Sequence, residues 1–351
     1  MVASPLKLKP PGKEQLVPDF GIKINGQKLS TEVVAVTVNE EIGVAAMFTL
    51  KLADWDAKKR DWIHAALLSL GSEVAISMGY KGQKQELLVG EITALEPEFS
   101  NSAVPMLVVR GYDYSHRLLR DRKTRSFTKT TANAIAQQLV QGTGKLQFMG
   151  EATNVRLDYW LQHDQSDWEC LQQLAQYVGY EVLVKAKTLR LQPRKNQDPP
   201  TLTLALQQDL LTFYPRLTSA NLVGQVEVHG WDPKTKQAVV GRSRGTAPMG
   251  NQLGPRAADN AFGESTLVLQ GATQKAAADQ RAQGEFEARA LAYIHGEGEC
   301  VGRTDLRAGQ VITLKGLGKQ FSGAYYLQAT CHRYAPQRGY RTTFNVRRNA
   351  T

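Results

Sequence analysis

Three side chains near the middle of the chain are of the types needed for nucleophilic catalysis. His163, Asp164 and Ser166 lie close together in the sequence. A hydrolytic triad needs its hydroxyl, imidazole and carboxylate to be brought together by tertiary structure around a strained turn. Here the three residues directly precede a helical pattern, where Asp and Ser are expected as N-caps. We therefore interpret the group as the start of a helix and predict no catalytic residue in it.

Paired carboxylates are the second candidate for chemistry. Glu297 and Glu299 alternate within a predicted strand, so they share one face of it. Glycoside hydrolysis uses two carboxyl groups about 5 to 9.5 Å apart in a cleft. Alternating charges on a strand are also typical of a solvated sheet face, and we favour that interpretation. A cell-wall hydrolase stays the alternative from the enzyme class.

Nucleotide and metal sites have weaker signals. The stretch GTGK at 142–145 approaches a phosphate-binding loop, but Leu139 and Leu146 stand where the first glycine and the magnesium-binding hydroxyl are required. The six histidines lack the spacing that puts two metal ligands on one helical face, and the three cysteines form no C-x-x-C pair. We predict no catalytic residue, no cofactor and no metal.

The catalytic candidates belong to a compact helix-plus-hairpin unit. Ser166 and Glu169 have the S-x-x-E spacing of a capping box at a helix start. Apolar residues follow at helical spacing, and Gly179 stands where a left-handed C-cap is expected. Two short strands are predicted next, at 181–184 and 188–191, around a Lys-Ala-Lys turn.

Short strand patterns dominate the rest of the chain, beginning with an Asn25-Gly26 hairpin signal, although a helical region is predicted to begin near Tyr112. We predict a mainly β protein with an α+β insertion, in which two small antiparallel β-barrel domains flank the helix-plus-hairpin subdomain. The predicted parts are a flexible N-terminal arm at 1–19, a first barrel at 20–113, the insertion at 114–198, and a second barrel at 199–351 with a long loop at 241–265 and a helix at 273–291.

Composition limits the possible partners. The chain has 351 residues, of which 42% are hydrophobic, and a formal net charge of +10. That charge allows nucleic-acid binding, but the basic residues are spread out apart from 117–125 and 338–348, so we favour pairing with acidic neighbours in an assembly. A nucleic-acid-binding module stays the second alternative. The aromatic and basic residues from Tyr334 to Tyr340 suit either base stacking or, as we favour, a protein interface.

The sequence contains neither an apolar run of the roughly 20 residues needed to span a bilayer nor an apolar signal-peptide core at its N-terminus. We therefore expect synthesis in the cytoplasm and no membrane insertion by this chain.

A family resemblance appears in three stretches. The segment VGRTDLRAGQVITLKGLGKQFSGAYYLQATCHRYAPQRGYRTTFNVRR at 301–348 resembles the closing segment of the phage late control D family and of the VgrG hub region. The RGYD stretch at 110–113 and the DWE helix with its later leucines and glycine resemble two further motifs of that family. The matching positions, which the resemblance assigns to structural roles, are Gly111, Asp113, Trp168, Leu171, Leu174, Gly179, Gly302, Gly309, Gly323, Tyr325, His332 and Tyr340.

The resemblance implies a structural baseplate hub rather than an enzyme. Hubs of this family are trimers whose paired barrel domains form a six-fold-like ring. The implied role is therefore a symmetry adapter that joins a hexameric inner tube to a trimeric spike in a phage-tail-like contractile injection system. The implied partners are two further copies of the chain, an inner tube protein, a spike protein and other baseplate components. Because the sequence ends at Thr351 directly after the hub motif, we expect the spike to be a separate protein, with the assembly completed in a phage tail or injection particle.

Overall fold

The structure, a computed structural model, describes residues 17–101, 103–153 and 155–351. Strands make up 53% of it and helices 17%, with large antiparallel sheets, which confirms the predicted mainly β class. The greater part of the predicted N-terminal arm, 1–16, lies outside the described residues. The end of that arm is not a free segment, because the first strand already begins at Pro18.

The first block of the chain is built from strands alone. Asn25 and Gly26 have φ values of 48° and 81°, as the predicted type I′ hairpin requires. The strands of this block are β1 Pro18–Ile24, β2 Gln27–Lys28, β3 Glu32–Glu41, β4 Met47–Ala53, β5 Trp55–Asp56, β6 Asp61–Trp62, β7 Glu73–Tyr80, β8 Gln83–Ser100 and β9 Ala103–Asp113.

The middle block mixes helices and strands. Its second helix begins with the predicted capping box, since Ser166 Oγ accepts from the Glu169 amide at 3.1 Å and Glu169 Oε2 accepts from the Ser166 amide at 2.7 Å. Gly179 follows that helix with φ at 66°, as predicted. The elements are a 3-10 helix Tyr114–Leu119, β10 Arg122–Thr131, α1 Ala132–Gln141, β11 Gln147–Gly150, β12 Arg156–Ser166, α2 Asp167–Tyr177, β13 Tyr180–Lys185 and β14 Thr188–Pro193.

The final block is again rich in strands. Its long helix α4 lies within two residues of the predicted helix at 273–291, which confirms that prediction. The elements are β15 Leu202–Ala205, β16 Leu210–Leu217, β17 Gln225–Asp232, β18 Gln237–Ser243, α3 Gly254–Phe262, β19 Thr266–Ala272, α4 Lys275–Ala290, β20 Ile294–Val301, β21 Val311–Lys315, α5 Gly318–Phe321, β22 Gly323–Ala335 and β23 Gly339–Arg348.

One sheet joins the first and final blocks. It has 13 strands, with β15 and β21 attached to a path in the order β16-β20-β23-β22-β3-β4-β9-β8-β7-β1-β2. The connection is made by β22 and β3, which pair antiparallel from Ala329 opposite Glu41 to Tyr334 opposite Val36. No closed barrel is detected in the described chain, so barrel closure stays a prediction, as do the domain boundaries.

Smaller sheets complete the fold. β11, β14 and β13 form a three-stranded sheet beside α1 and α2, and β10 pairs with β12. β18, β17 and β19 form another three-stranded sheet, which packs on α4. Each block has its own apolar cluster, because strands alternate buried and exposed residues while the helices bury one stripe.

One prediction about local structure is wrong, and another is incomplete. The segment 241–265 is not a long loop, since β18 extends into it and α3 occupies Gly254–Phe262. Pro255 fits the first turn of α3, where no amide donor is needed, and two alanines pack on the core of the final block. The alanines of that helix that pack on the core are small, and its one large apolar residue, Phe262, is exposed, so no row of large apolar residues marks the helix in the sequence.

The region after Tyr112 is helical at Tyr114–Leu119 and again at Ala132–Gln141, but an unpredicted strand lies between the two helices. The strand Arg122–Thr131 then pairs with Arg156–Ser166 to form a long hairpin-like ribbon. Its strands are rich in charged residues, and their pairing partners lie more than 30 residues apart along much of the ribbon. Neither feature produces the short apolar alternation by which strands are recognised in a sequence.

Candidate functional site

The 13-stranded sheet presents a broad polar face that we call the open face. The pairing register aligns its side chains in rows that cross from the final block to the first. All of these side chains are exposed or half-buried. The three rows are Thr212, Glu299, Thr343, Cys331, Asn39, Met47 and Tyr112; Tyr214, Glu297, Asn345, Ala329 and Glu41; and Val301, Arg341, Arg333, Thr37, Thr49 and Arg110.

The chemistry of the open face suits contact rather than reaction. A shallow groove of about 380 Å³ runs along it, lined by residues that include Glu297, Asn345 and Met47. The larger helices pack elsewhere, α1 and α2 on the middle block and α4 on β17 and β18. A sheet face whose side chains are mostly polar and meet solvent offers a surface that another molecule can contact.

The two candidate carboxylates lie on this wall. Glu297 and Glu299 share the open face, as predicted, opposite Asn345 and Thr343 on the next strand. The groove beside them is open to solvent rather than closed around a substrate. Across the described residues, no group of three His, Cys, Asp or Glu side chains could hold a metal ion.

Two of the three residues considered for a triad have other local contacts. Ser166 Oγ serves as the helix cap, and Asp164 forms an ion pair with Arg122 at 3.1 Å. Arg122 also approaches Glu169, while Lys123 and Arg125 bind the two carboxylate oxygens of buried Asp167 at 2.8 and 2.6 Å. Arg122, Lys123 and Arg125 of the basic stretch at 117–125 are therefore paired with acidic residues of their own chain.

A buried polar cluster lies where the final block meets the first. His332 is fully buried, and burial lowers its pKa to about 4. Its Nε2 lies 3.1 Å from the carbonyl oxygen of Leu306, which can only accept, so Nε2 carries the proton. Nδ1 then accepts from the Tyr340 hydroxyl at 2.9 Å. The Tyr340 ring packs against the Tyr80 ring of the first block in a tilted arrangement, with the ring centroids 5.8 Å apart.

Gly302 completes this cluster by allowing two strands to approach each other closely. A Cβ at this position would lie 2.2 Å from the Tyr340 ring. The Gly302 amide donates to the Tyr340 carbonyl at 3.0 Å, and the Tyr80 hydroxyl donates to the Gly302 carbonyl at 3.0 Å. Three predicted motif positions, Gly302, His332 and Tyr340, thus meet in one structural contact.

An ion pair ties the same two blocks together. Arg307, in the loop before β21, donates to both carboxylate oxygens of Glu40 on β3 and to the carbonyl oxygen of Leu87 at 2.7 Å. Only 17% of the Arg307 side chain and 10% of the Glu40 side chain are exposed. The pair lies 267 residues apart in the chain, so sequence reasoning missed it, and no local motif marks it.

The middle block joins the final block through different contacts. Glu181 on β13 accepts a hydrogen bond from the Tyr326 hydroxyl of β22, and burial raises the pKa of Glu181 to about 7. Gly179 packs against Gly284 of α4, where a Cβ on Gly284 would lie 2.4 Å from the Gly179 Cα. Arg194 donates to the Gly284 carbonyl at 2.8 Å.

The other predicted motif positions lie in core or turn sites. Asp113 is buried and accepts from the amides of Ala46 and Ser115 at 3.0 and 2.8 Å, which ties β9 to the start of β4. The remaining positions are Gly111 within β9; Trp168, Leu171 and Leu174 in the core beneath α2; Gly309 before β21; and Gly323 and Tyr325 at the start of β22. Their structural roles in the family stay a prediction.

A family model and several solved structures match this chain. A family model described as the Alg8 N-terminal domain matches residues 14–335. The 43 kDa tail protein of prophage MuSo2 from Shewanella oneidensis has a similar structure, with a TM-score of 0.71 and 12% identity over 95% of this chain and 99% of that chain. A tail protein from Neisseria meningitidis MC58 gives a TM-score of 0.70 and 13% identity, covering 95% of this chain and 97% of that one.

An E. coli protein described as a type VI secretion component similar to T4 bacteriophage tail proteins gives a TM-score of 0.62 and 13% identity, covering 93% of this chain and 76% of that one. No curated protein matches the sequence significantly. The described residues include no helix long and apolar enough to cross a membrane. The chain therefore shares the fold of phage tail and type VI secretion proteins.

Proposed function

The chain belongs to the Alg8 N-terminal domain family, and we propose that it is a structural baseplate hub of a phage-tail-like injection machine. In this role three copies form a ring that joins a hexameric inner tube to a trimeric spike, beside other baseplate components. The chain is made in the cytoplasm and built into a tail or injection particle. It catalyses no reaction and contributes shape and contacts.

The open face is the observation that carries this proposal. It is one continuous wall of paired strands, and it spans both strand-rich blocks of a single chain. Three copies with two strand-rich blocks each place six blocks around the three-fold axis, and six is the number of subunits in each ring of a hexameric tube. In the ring the open face forms the wall of the central passage, where most side chains are polar and Tyr214 lies at the outer edge of the sheet.

Ring closure requires a complementary contact on each side of every copy. The strand β16 ends the sheet path, so one of its edges has no partner strand in the described chain. It presents apolar side chains to solvent, with Tyr214 exposed at 71% and Leu211 at 39%. An exposed edge strand bearing large apolar side chains is a typical site of association, and we assign one ring contact to it.

The mass of the purified chain in solution tests the proposal, measured alone and with candidate tube and spike proteins. We expect three copies, either alone or once the spike is added. Tyr214→Asp is expected to weaken association at least tenfold, because a charge enters the apolar contact. Tyr159→Asp is the matched control, since Tyr159 is also exposed, at 58%, but lies on β12 of the middle block.

A stable monomer that ignores both partners would overturn the hub proposal. A trimer that survives Tyr214→Asp would instead relocate the ring contact. Release of sugar fragments from purified cell walls by the wild-type chain would replace the structural role with that of a hydrolase.

A further inference from the structure

Three arginines surround a small pocket at the tip of the β22–β23 hairpin. The pocket has a volume of about 180 Å³, and its lining includes Arg333, Arg338 and Arg341 together with Glu299. Arg333 and Arg341 lie directly opposite each other on neighbouring strands. Like charges in this position repel and destabilise a sheet, so the arrangement favours an anion between them.

One carboxylate, Glu299, lines the pocket beside the three arginines, so the lining keeps a net positive charge. None of the three arginines forms an ion pair with a described residue, whereas Arg110 in the same row of the open face binds Glu96 at 2.9 Å. A guanidinium group has donors arranged in a planar fork that matches a carboxylate or a phosphate. The pocket therefore has unsatisfied capacity for an external anion.

The surroundings favour a protein over a nucleic acid. Base stacking needs free aromatic faces, but Tyr334 packs against Phe20 at 4.9 Å and Tyr340 is buried beside His332. A nucleic acid also needs a continuous basic track for its phosphates. Glu297 and Glu41 interrupt the basic charge on the open face.

We propose that the arginine pocket binds an acidic segment of a partner protein, with Asp or Glu carboxylates held between Arg333, Arg338 and Arg341. This inference goes beyond the hub proposal and does not depend on it, because the arginines and their register carry it. Peptide binding and the number of copies in solution are measured separately, so failure of one leaves the other standing.

Fluorescence anisotropy with a labelled hexaglutamate peptide tests the site on the full chain. The double variant Arg333→Gln/Arg341→Gln is expected to bind the peptide about tenfold more weakly or worse, since each charge-assisted contact is lost. The control is Arg120→Gln/Arg156→Gln, which removes the same charge from two exposed arginines outside the pocket. We expect it to change the dissociation constant less than twofold.

Arg341→Glu separates binding from folding. It places opposite charges across the two strands, so we expect the Tm to rise by about 1 °C while peptide binding is lost. An unchanged or lower Tm would contradict the repulsion on which the site is argued.

Three results overturn the proposal. The first is no peptide binding by the wild-type chain at millimolar concentration. The second is equal weakening by the pocket and control variants, which identifies diffuse charge attraction. The third is tighter, arginine-dependent binding of a single-stranded thymidine 20-mer or of inorganic phosphate, which assigns the pocket to nucleic acid or to the free ion.

Discussion

The final block is joined to the rest of the chain in two different ways. The strand seam, formed by β22 with β3, runs through backbone hydrogen bonds and is reinforced by Glu40–Arg307 and the His332 cluster. The helix seam, formed by α4 and β22 with the start of β13, depends on Gly179, Gly284 and the Glu181–Tyr326 hydrogen bond. The strand seam is part of one continuous β-sheet, whereas the helix seam is a packing contact between surfaces of separate secondary-structure elements.

This difference determines which substitutions are expected to destabilise each seam. Backbone pairing tolerates many side chains, so the strand seam is vulnerable mainly at its buried charges. Surface-to-surface packing depends on shape, so the helix seam is vulnerable to added atoms. The stability of the two seams also depends differently on pH. Burial keeps His332 neutral in the strand seam, whereas burial favours the protonated form of Glu181 in the helix seam.

The largest effect is expected at the ion pair of the strand seam. Arg307→Met leaves Glu40 buried without its partner, and breaking a buried pair in this way costs about 3–5 kcal/mol. Denaturant unfolding followed by circular dichroism measures the loss. The double variant Glu40→Gln/Arg307→Met is the matched control and should recover part of the stability, since it leaves no unpaired charge. A loss below about 1 kcal/mol in the single variant would show that Glu40 reaches water.

The second effect concerns pH and the helix seam. The pKa of Glu181 is about 7 in the folded chain against an ordinary value of 4.5. Because the folded state then holds the proton more tightly, this group stabilises the fold fully below about pH 4.5. That contribution is lost as pH rises to about 7 and amounts to roughly 3 kcal/mol at most. Glu181→Gln should therefore be increasingly more stable than the wild type as pH rises from 5 to 8.

The strand seam should respond in the opposite direction. The pKa of His332 is about 4 against an ordinary 6.5, so its contribution is present above pH 6.5 and is lost as pH falls towards 4. Where their pH ranges overlap, the stabilising contributions of Glu181 and His332 change in opposite directions. The pH dependence of the wild-type Tm alone therefore does not show either contribution separately. The difference in Tm between the wild type and Glu181→Gln isolates one group, and a difference that does not change with pH would refute the assignment.

Sequence patterns predicted the local elements that take part in both seams but not the long-range contacts that join those elements. The capping box of α2 and the Gly179 turn each depend on neighbours in the chain, so spacing reveals them, and the family resemblance marks His332 and Tyr340. The pairing of β22 with β3 and the contact of Glu40 with Arg307 join residues that are distant in sequence. No single-sequence period encodes such contacts.

Gly284 marks the limit most clearly. Its position within α4 suggests a weak point in the helix, because glycine in a helix interior costs about 1 kcal/mol relative to alanine. The fold shows instead that Gly284 gives Gly179 room to approach, so the sequence-based expectation and the structural one have opposite signs.

Gly284→Ala is therefore the smallest effect but a decisive one. Helix propensity alone predicts a gain of about 1 kcal/mol, whereas the 2.4 Å approach of the new Cβ to the Gly179 Cα predicts a loss. Overpacking costs about 1–3 kcal/mol, so we expect a net loss of about 1 kcal/mol in denaturant unfolding. Ala276→Gly, at an exposed position in the first turns of α4, gives the propensity scale in the same helix. A stabilised Gly284→Ala variant would mean that α4 and Gly179 move apart to accept the new methyl group. The strand seam would then be the only rigid junction of the final block.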